Sequence, residues 1–288
     1  MTAMADKDLF KSTDPIAWCP GCGNFGILTA LKRALAQLEL KPEDVLMVSG
    51  IGQAAKIPHY LRCNTFNGLH GRTLPVAAGA KIANPGLVVI AAGGDGDGYA
   101  EGGNHFIHAM RRNLDITYLV HNNQVYGLTK GQASPTSEKD MVTGTTPEGN
   151  VLGPEKPLAL AVAGECSFAA RGFAGEMDHL AGLIKQAIRH EGFSFLEILQ
   201  PCVSFNKINT FDWYKKRVYF LDETSYDATD REAAFQKALE WGDRIPLGVL
   251  FRTERRTYED LGGLKGSQPL KDRTLDKGRF ADIFKEFR

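Results

Sequence analysis

The sequence predicts an α/β fold in which a mostly parallel sheet carries helices on both faces. Short apolar runs rich in β-branched residues alternate with segments of helical spacing, and the intervals suit the crossover helices that parallel strands require. The apolar runs are followed directly by distinctive segments, namely SGIGQ, GGDGDG, HNNQVYG and QPC. Because ligands bind at the carboxyl ends of parallel strands, these segments predict that the site lies along one edge of the sheet.

The individual elements follow from local pattern. Asn24 is expected to cap a first helix, whose apolar residues recur at helical spacing from Ile27 to Leu38. Pro75 suits the first turn of a second helix, where its missing N–H costs no hydrogen bond. Strands are expected at 45–48, 87–92, 116–120 and 195–199, and helices at 75–82, 103–112 and 178–190.

We expect residues 1–206 to form the main domain and residues 207–288 to form a C-terminal extension that packs on it. Beyond residue 206 the pattern weakens and charged residues become more frequent, leaving a helix at 230–241 and a strand at 247–251 as the clearest elements. Segment 131–157 is rich in Ser, Thr, Pro and Gly and predicts a long loop. Long loops in compact domains are often functional.

Composition excludes several classes of function. The chain has 288 residues with 34 Lys plus Arg and 34 Asp plus Glu, so its formal charge of zero argues against a nucleic-acid binder. The longest apolar run, 87–92, is too short to span a membrane, and the first ten residues lack the apolar core of a signal peptide. These features predict a cytoplasmic protein. Glycine is enriched, with 31 residues, and much of the excess clusters before residue 132, where backbone can approach a ligand closely.

Two polar side chains follow neighbouring strands of the predicted sheet. Asp95 comes directly after one buried strand and Asn123 after the next, and the interval of 28 residues (123 − 95) suits one strand-helix-strand crossover. Adjacent parallel strands would bring both oxygen ligands together, beside a glycine-rich loop and a helix N-terminus. That arrangement suits Mg²⁺ holding a diphosphate. The alternative is a strand-end turn with a helix cap, which Asp, Asn and Gly also favour.

The segments GDGDGYAEGGNHFIHAMRRN and HNNQVYGLTKGQASPTS carry a resemblance to a known family. They resemble the thiamine-diphosphate motif of the β subunits of 2-oxoacid:ferredoxin oxidoreductases, and the match is closest to the 2-oxoglutarate and general 2-oxoacid branch. The resemblance runs from Trp18 to about Cys202, about two-thirds of the chain. It implies oxidative decarboxylation of a 2-oxo acid, or the reverse carboxylation, with coenzyme A as acyl acceptor and ferredoxin as electron acceptor.

The resemblance also implies roles for particular residues. The Mg²⁺ ligands would be Asp95, Asn123 and the carbonyl of Val125, and the diphosphate would lie against Gly94, Gly96, Asp97 and Gly98. The residues near the thiamine ring would include Ile51, Gly52, His70 and Tyr126. Lys56, His70 and Arg72 would point toward the cofactor and the substrate carboxylate, and Lys130 toward a phosphate of coenzyme A. From the residues alone, the preferred interpretation of Lys56 and Arg72 is a solvated surface charge, and that of His70 is a core histidine.

Five cysteines, at positions 19, 22, 63, 166 and 202, permit several interpretations. Cys19 and Cys22 form a C-x-x-C before a helix, where a helix N-terminus lowers thiol pKa values and favours metal or redox chemistry. A structural zinc or a [4Fe–4S] cluster would need two more ligands, and Cys63 with Cys202 could supply them for either. Cys166 is expected to be a packed core thiol.

The family resemblance favours the [4Fe–4S] cluster over zinc. It matches Cys19, Cys22 and Cys202 to cluster ligands, whereas the usual third ligand falls at Gln53 of SGIGQ. We therefore expect Cys63 to replace it, if the intervening loop folds back. Other interpretations remain open: a non-redox thiamine-dependent decarboxylase or synthase, which needs no cysteine cluster, and a zinc-stabilised binding module without catalysis.

A dinucleotide site is a weaker alternative for SGIGQAA. Gly50, Gly52 and Ala55 fit G-x-G-x-x-A after a strand, but the acidic residue expected about 20 positions later is missing, and Pro58 interrupts the helix that should follow.

A further expectation concerns partners. Thiamine activation needs a carboxylate beside the aminopyrimidine, and the chain shows no motif for it. In the resembling family this group comes from a pyrimidine-binding domain on an α subunit. We therefore expect an αβ pair that dimerises and is inactive without the α subunit.

Overall fold

The computed structural model of the chain describes residues 8–222, 225–274 and 277–287. In these ranges the strands are β1 (Val45–Ser49), β2 (Asn64–Asn67), β3 (Val88–Gly94), β4 (Ile116–Asn122), β5 (Val125–Tyr126), β6 (Gln132–Ala133), β7 (Phe168–Phe173), β8 (Phe193–Leu199), β9 (Val218–Phe220) and β10 (Ile245–Arg252). The α-helices are α1 (Asn24–Gln37), α2 (Thr73–Ala83), α3 (Gly103–Arg112), α4 (Pro157–Ala163), α5 (Met177–Arg189), α6 (Phe211–Lys215), α7 (Arg231–Leu239), α8 (Tyr258–Leu261) and α9 (Lys277–Glu286).

Eight of these strands form one sheet in the order β2-β1-β3-β4-β8-β7-β10-β9. Neighbouring strands are parallel except for β10, which runs antiparallel to β7. β5 and β6 form a separate antiparallel pair. The prediction of a mostly parallel sheet is therefore confirmed.

Strand register brings three strand ends to the same edge. Gly94 of β3 pairs with His121 of β4, and Asn122 of β4 pairs with Leu199 of β8. β4 is two residues longer than its apolar pattern predicts, so Asn122 still belongs to the strand and Asn123 is the first residue beyond it. The segments that follow β3, β4 and β8 consequently meet at the carboxyl edge of the sheet, as expected.

Helices cover both faces of the sheet, which confirms the layer prediction. On one face, α1 and α5 pack together over a core that includes Ile27, Leu31 and Ile184. On the other face, α2, α3, α4 and α7 pack over an aromatic core that includes Phe106 and Phe195, whose ring centroids lie 4.7 Å apart. Aromatic pairs at this distance add to the stability that burial itself provides.

The segment after residue 206 contributes strands to the main sheet. β10 pairs with β7, and β9 pairs with β10, so these strands extend the sheet beyond β7. Asp230 caps α7 by accepting from the backbone N–H groups of Glu232 and Ala233, and the helix ends at Leu239, two residues before the predicted end. The division into 1–206 and 207–288 remains a prediction, and its residues 1–7, 223–224, 275–276 and 288 lie outside the described ranges.

The start of α1 differs from its prediction. Gly23 occupies the cap position and Asn24 is the first helical residue, with no side-chain capping bond. Asn24 is instead fully buried, and its Oδ1 lies 2.8 Å from Nδ1 of His121 at the end of β4. The side chain that should cap the helix therefore ties the helix to the sheet.

Five strands escaped prediction, namely β2, β5, β6, β7 and β9, and for β2 and β7 the physical reasons differ. β2 is exposed along its whole length and pairs only with β1 at the sheet edge, so it shows no apolar alternation. β7 contains Arg171, a charge that interrupts the apolar pattern but is buried against Glu197 of β8. Within the described ranges, no helix is both long and apolar enough to cross a membrane.

Candidate cofactor cleft and cysteine pocket

A cleft opens at the carboxyl edge of the sheet, beyond the ends of β1, β3 and β4. The chain segments that line it are 51–54, His70, 94–97, Asn123 and 125–129. Of the predicted site residues, these segments include Ile51, Gly52, His70, Gly94, Asp95, Gly96, Asp97, Asn123, Val125 and Tyr126. Five further residues line the cleft although the sequence analysis did not assign them to the site. They are adjacent in the chain to residues that it did assign, and they are Gln53, Ala54, Gly127, Leu128 and Thr129.

Asp95 is held by the long loop that the sequence predicted. Its carboxylate is buried, and Oδ2 accepts hydrogen bonds from the hydroxyls of Ser134 and Thr136, the latter at 2.8 Å. Burial raises the pKa of Asp95 to about 6, while the two hydroxyls oppose the rise. A buried carboxylate with that environment gains stability when a cation binds beside it. Nothing in the local pattern of Ser134 or Thr136 distinguishes them from other loop hydroxyls.

Asn123 is positioned by a short turn after β4. Its Oδ1 accepts from the backbone N–H of Val125 at 3.0 Å, and its Nδ2 donates to Gln200 at 2.8 Å. Gln124 between them has φ +62, a left-handed conformation that lets the chain reverse direction tightly. Asn123 therefore presents its amide beside Asp95 at the strand ends, as the spacing predicted.

Asp97 is a junction between three segments. Its Oδ1 accepts from the backbone N–H groups of Ile51 at 3.0 Å and Gly71 at 2.8 Å, and its Oδ2 accepts from Thr73 at 3.2 Å. The structure therefore places its carboxylate on protein donors, whereas the resemblance implied contact with a diphosphate. Through these hydrogen bonds Asp97 holds the carboxyl end of β1 and the amino end of α2 against the turn that follows β3.

The glycines predicted to contact the diphosphate or the thiamine ring fall into two groups. A Cβ added at Gly94 would meet no protein atom nearer than 4.0 Å, and one at Gly52 would meet none within 4 Å. At Gly96 and Gly98, by contrast, a Cβ would lie 2.3 Å from the Tyr126 ring and 2.2 Å from the Tyr118 hydroxyl. Gly94 and Gly52 thus leave space open for a ligand, while Gly96 and Gly98 allow the 96–101 π-helical turn to pack closely.

The four predicted basic or imidazole side chains are not all at the cleft. His70 lines it, with Nδ1 3.1 Å from Glu101 Oε2 and 3.6 Å from Asp97 Oδ1. Arg72 is exposed and donates to the backbone carbonyl of Glu101 at 3.2 Å. Lys56 lies in the 54–60 turn and Lys130 in an exposed position with φ +76, and neither lines the cleft.

Three of the predicted cluster cysteines meet in a second pocket. It is lined by Cys19, Cys22 and Cys202 together with Gln53. The pocket adjoins the cofactor cleft, because Gln53, Asn123 and Gly127 line both. Gln200 Nε2 lies 3.5 Å from Cys22 Sγ, an N–H donor directed at sulfur.

Cys63 does not line this pocket. Its neighbour Asn64 pairs with Leu46, so Cys63 lies level with Val45 at the amino end of β1, while the pocket is at the carboxyl edge. The four steps of the strand from Val45 to Ser49 span about 13 Å at the usual rise per residue. The Cys63 thiol packs against the hydrophobic core, where burial raises its pKa to about 11. The loop that was expected to fold back instead enters the edge strand β2.

Burial dominates the thiol environments. The pKa of Cys22 is raised to about 11 by burial, against a smaller lowering by the Asn24 N–H, so the expected lowering at the helix start is outweighed. A metal would displace that proton. Cys166 is fully buried, donates to the Phe168 carbonyl at 3.1 Å, and has a pKa raised to about 12, which confirms it as a core thiol.

A buried chain of polar groups runs behind Asp95. Arg171 Nε donates to Glu197 at 2.9 Å, and Asn122 Nδ2 donates to the other oxygen of Glu197 at 2.9 Å. Thr136 then lies 2.8 Å from both Asn122 and Asp95. Since these groups are almost fully buried, the chain fixes the position of the loop hydroxyl that contacts Asp95.

The comparisons with known proteins agree with this geometry. The family model described as "Thiamine pyrophosphate enzyme, C-terminal TPP binding domain" matches residues 47–198, more than half of the chain. A 2-oxoacid:ferredoxin oxidoreductase subunit beta from Saccharolobus solfataricus is 48% identical over 255 residues, which cover 84% of each chain. The chain belongs to the β-subunit family of 2-oxoacid:ferredoxin oxidoreductases.

Further matches support the same β-subunit family. A family model for the C-terminal part of the pyruvate ferredoxin oxidoreductase beta subunit matches residues 202–264. A 2-oxoglutarate oxidoreductase subunit KorB from Mycobacterium tuberculosis is 42% identical over 72% of this chain and 55% of its own. A solved structure of the 2-oxoglutarate:ferredoxin oxidoreductase from Magnetococcus marinus, with 2-oxoglutarate, coenzyme A and succinyl-CoA bound, has a TM-score of 0.90 at 39% identity. It covers 98% of this chain and 97% of that chain. The family resemblance, the fold and the oxidoreductase class are thereby confirmed.

Proposed function

We propose that the cleft binds thiamine diphosphate with Mg²⁺ and that the neighbouring pocket binds an iron–sulfur cluster. The chain would thus contribute both cofactors to a 2-oxo acid oxidoreductase, with 2-oxoglutarate as substrate. One observation carries the proposal: the cleft with Asp95 and Asn123 shares a wall with the pocket of three cysteines. That adjacency favours the redox enzyme over a non-redox thiamine enzyme, which has no use for cysteines there.

The cleft residues fit Mg²⁺ and a diphosphate. Asp95 and Asn123 supply hard oxygen donors at adjoining strand ends, and the carbonyl of Val125 is the proposed third protein ligand. Gly94 leaves open space beside them, so backbone can approach the diphosphate. Ser134 and Thr136 hold Asp95 in place through one oxygen.

The chain's own groups would bind and orient the substrate. When bound, thiamine diphosphate supplies the carbanion chemistry that decarboxylates a 2-oxo acid. His70 is the proposed substrate-facing side chain, because it lines the cleft and rests near Tyr126, with ring centroids 6.3 Å apart. Arg72 and Lys56 lie outside the cleft lining, so their proposed contact with a substrate carboxylate would require the assembled enzyme.

The cysteine pocket fits a cluster better than a single ion. In the described ranges, no three His, Cys, Asp or Glu side chains converge closely enough to hold one metal ion, which disfavours structural zinc. A four-iron cluster takes one ligand per iron, so its ligands are spread more widely. The N–H donors of Gln200 and Asn24 directed at Cys22 suit a cluster sulfur environment.

The proposal requires an α subunit. In the described part of the chain, the carboxylates that line the cleft are Asp95 and Asp97, and both are engaged by protein donors. A separate carboxylate for the aminopyrimidine would come from the partner, and we propose an αβ pair that dimerises. Coenzyme A is the proposed acyl acceptor, with Lys130 near one of its phosphates, and ferredoxin the electron acceptor in the cytoplasm.

Anaerobic co-purification with the α subunit tests the proposal. We expect thiamine, magnesium, iron and sulfide in the protein, a reduced-state EPR signal, and coenzyme A-dependent reduction of ferredoxin by 2-oxoglutarate. Asp95→Asn should lose magnesium and thiamine but keep iron, whereas Cys22→Ser should lose iron and keep thiamine. Thiamine without iron in the wild type would instead support a non-redox enzyme, and zinc without thiamine a binding module.

A further inference from the structure

Gln53 lies on the wall between the cofactor cleft and the cysteine pocket and lines both. Its Oε1 is buried and has no hydrogen-bond partner among the residues that the structure describes. Its backbone carbonyl accepts from Trp18 Nε1 at 2.9 Å, which ties this segment to the residue before Cys19. A buried amide oxygen without a partner is rare in folded proteins and calls for a group that it can contact, such as an ordered water or a bound ligand.

Three thiols line the cysteine pocket, and the two other cysteines of the chain lie elsewhere. Cys63 is held at the opposite end of β1 by strand register, and Cys166 is buried in the core between β7 and β8. Neither lines the pocket. A [4Fe–4S] cluster has four irons, each needing a ligand outside the cluster.

We propose that three thiolates, from Cys19, Cys22 and Cys202, hold the cluster and that the Gln53 amide oxygen occupies the fourth position. This inference rests on the proposed function, because it requires an iron–sulfur cluster in the cysteine pocket. A neutral amide oxygen is a weaker ligand for iron than a thiolate is, so the fourth iron is exchangeable. Since Gln53 also lines the cofactor cleft, the iron that it would hold would lie on the side of the pocket that adjoins this cleft.

The ligand change also alters the charge of the cluster. Three thiolates and one amide carry one negative charge fewer than four thiolates do. Because net charge helps to set the potential of an iron–sulfur cluster, the wild-type cluster should have a higher reduction potential than that of the Gln53→Cys variant.

Controlled oxidation of the αβ enzyme tests the assignment. Anaerobically purified enzyme is treated with one equivalent of ferricyanide and followed by EPR and iron analysis. The [4Fe–4S]²⁺ cluster then becomes [3Fe–4S]⁺ with release of one Fe²⁺, and ferricyanide takes the one electron that is lost. We expect the wild type to lose one iron per cluster and to show the EPR signal of a three-iron cluster.

Three variants serve as controls. Gln53→Cys should keep all four irons under the same treatment, give no three-iron signal and have a lower reduction potential. Gln53→Ala removes the proposed oxygen ligand and should release the fourth iron at a lower dose of ferricyanide than the wild type does; an unchanged dose would overturn the role of Gln53. Cys63→Ser should behave as the wild type. Where Gln53→Cys fails to fold, ⁵⁷Fe²⁺ is added back to oxidised wild type with one reducing equivalent of dithionite, which returns the electron that ferricyanide removed. This gives an independent readout, because the label should enter a single Mössbauer site.

The results separate this inference from the proposed function. A wild type that keeps four irons under oxidation overturns the role of Gln53 while leaving the redox enzyme intact. Loss of iron in Cys63→Ser but not in the wild type would make Cys63 the fourth ligand and also overturn it. If wild type and Gln53→Cys both contain thiamine but no iron, the redox function and this inference fail together.

Discussion

Gly94→Ala separates cofactor binding from folding at a single position. Gly94 ends β3 and lines the cleft, and an added Cβ would meet no protein atom nearer than 4.0 Å. Its φ lies outside the left-handed region, so alanine fits the backbone without strain. The free energy of unfolding should therefore change by less than about 1 kcal/mol. The methyl group would instead occupy space proposed for the thiamine diphosphate.

The size of the binding defect follows from steric overlap. Forcing a methyl group into a filled site costs about 1–3 kcal/mol, which corresponds to roughly 5- to 150-fold weaker binding. The assay is titration of the αβ enzyme with thiamine diphosphate in excess Mg²⁺, followed by protein fluorescence or calorimetry. Chemical unfolding of the same preparations measures stability.

Gly79→Ala is the matched control for this prediction. Gly79 lies within α2 outside the cleft lining, and a Cβ there would meet no atom within 4 Å. Alanine should stabilise this helix by about 0.5–1 kcal/mol and leave cofactor affinity unchanged. Wild-type cofactor affinity in Gly94→Ala, with the fold intact, would refute the placement of the diphosphate.

Three other predictions concern ionisable side chains that are wholly or partly buried. Glu197→Gln should lower the free energy of unfolding, measured by urea titration, by about 3–5 kcal/mol, because it leaves Arg171 buried without its counter-charge. Replacing both residues by Met should lower the free energy of unfolding by less than the single change does. Asp97→Asn should lower the free energy of unfolding by about 1.5–3 kcal/mol in the same measurement, because it replaces an anion that accepts two backbone N–H groups. Unchanged stability would contradict the conclusion that Asp97 holds these segments together. Burial lowers the pKa of His190, so the unfolded chain binds the proton more tightly and stability should fall as pH drops below about 6.5. Urea midpoints at about pH 7.5 and about pH 5.5 should show a smaller loss in His190→Gln, and an equal loss would exclude His190 as the source.

The sequence could predict which side chains of the candidate site lie together where this depends on short motifs or on one strand-helix-strand unit. Asp95 and Asn123 could be paired because each follows a buried strand, and parallel strands place their carboxyl ends on one edge. Cys19 and Cys22 could be paired because they are three residues apart. These predictions require only the apolar pattern that marks a strand and the length of chain between two parallel strands. Both can be read from a continuous stretch of sequence.

The sequence could not show which distant segments meet. Ser134 and Thr136 contact Asp95 only because the long loop closes over the strand ends, and loop hydroxyls carry no pattern that marks this role. The Arg171 and Glu197 pair resembles two ordinary charges until adjacent strands bury them together. Lys56 and Arg72 were assigned from short motifs, but neither lines the cleft in the folded chain.

The sequence by itself determined the α/β fold class, the strands β1, β3, β4, β8 and β10, the cofactor family and the edge of the sheet that carries the candidate site. Those features follow from residue periodicity and from motifs only a few residues long. The tertiary structure decided the contents of the cysteine pocket, since strand register places Cys63 at the far end of β1 and brings Gln53 to the pocket wall. Register depends on pairing between strands, so no single stretch of the chain encodes it.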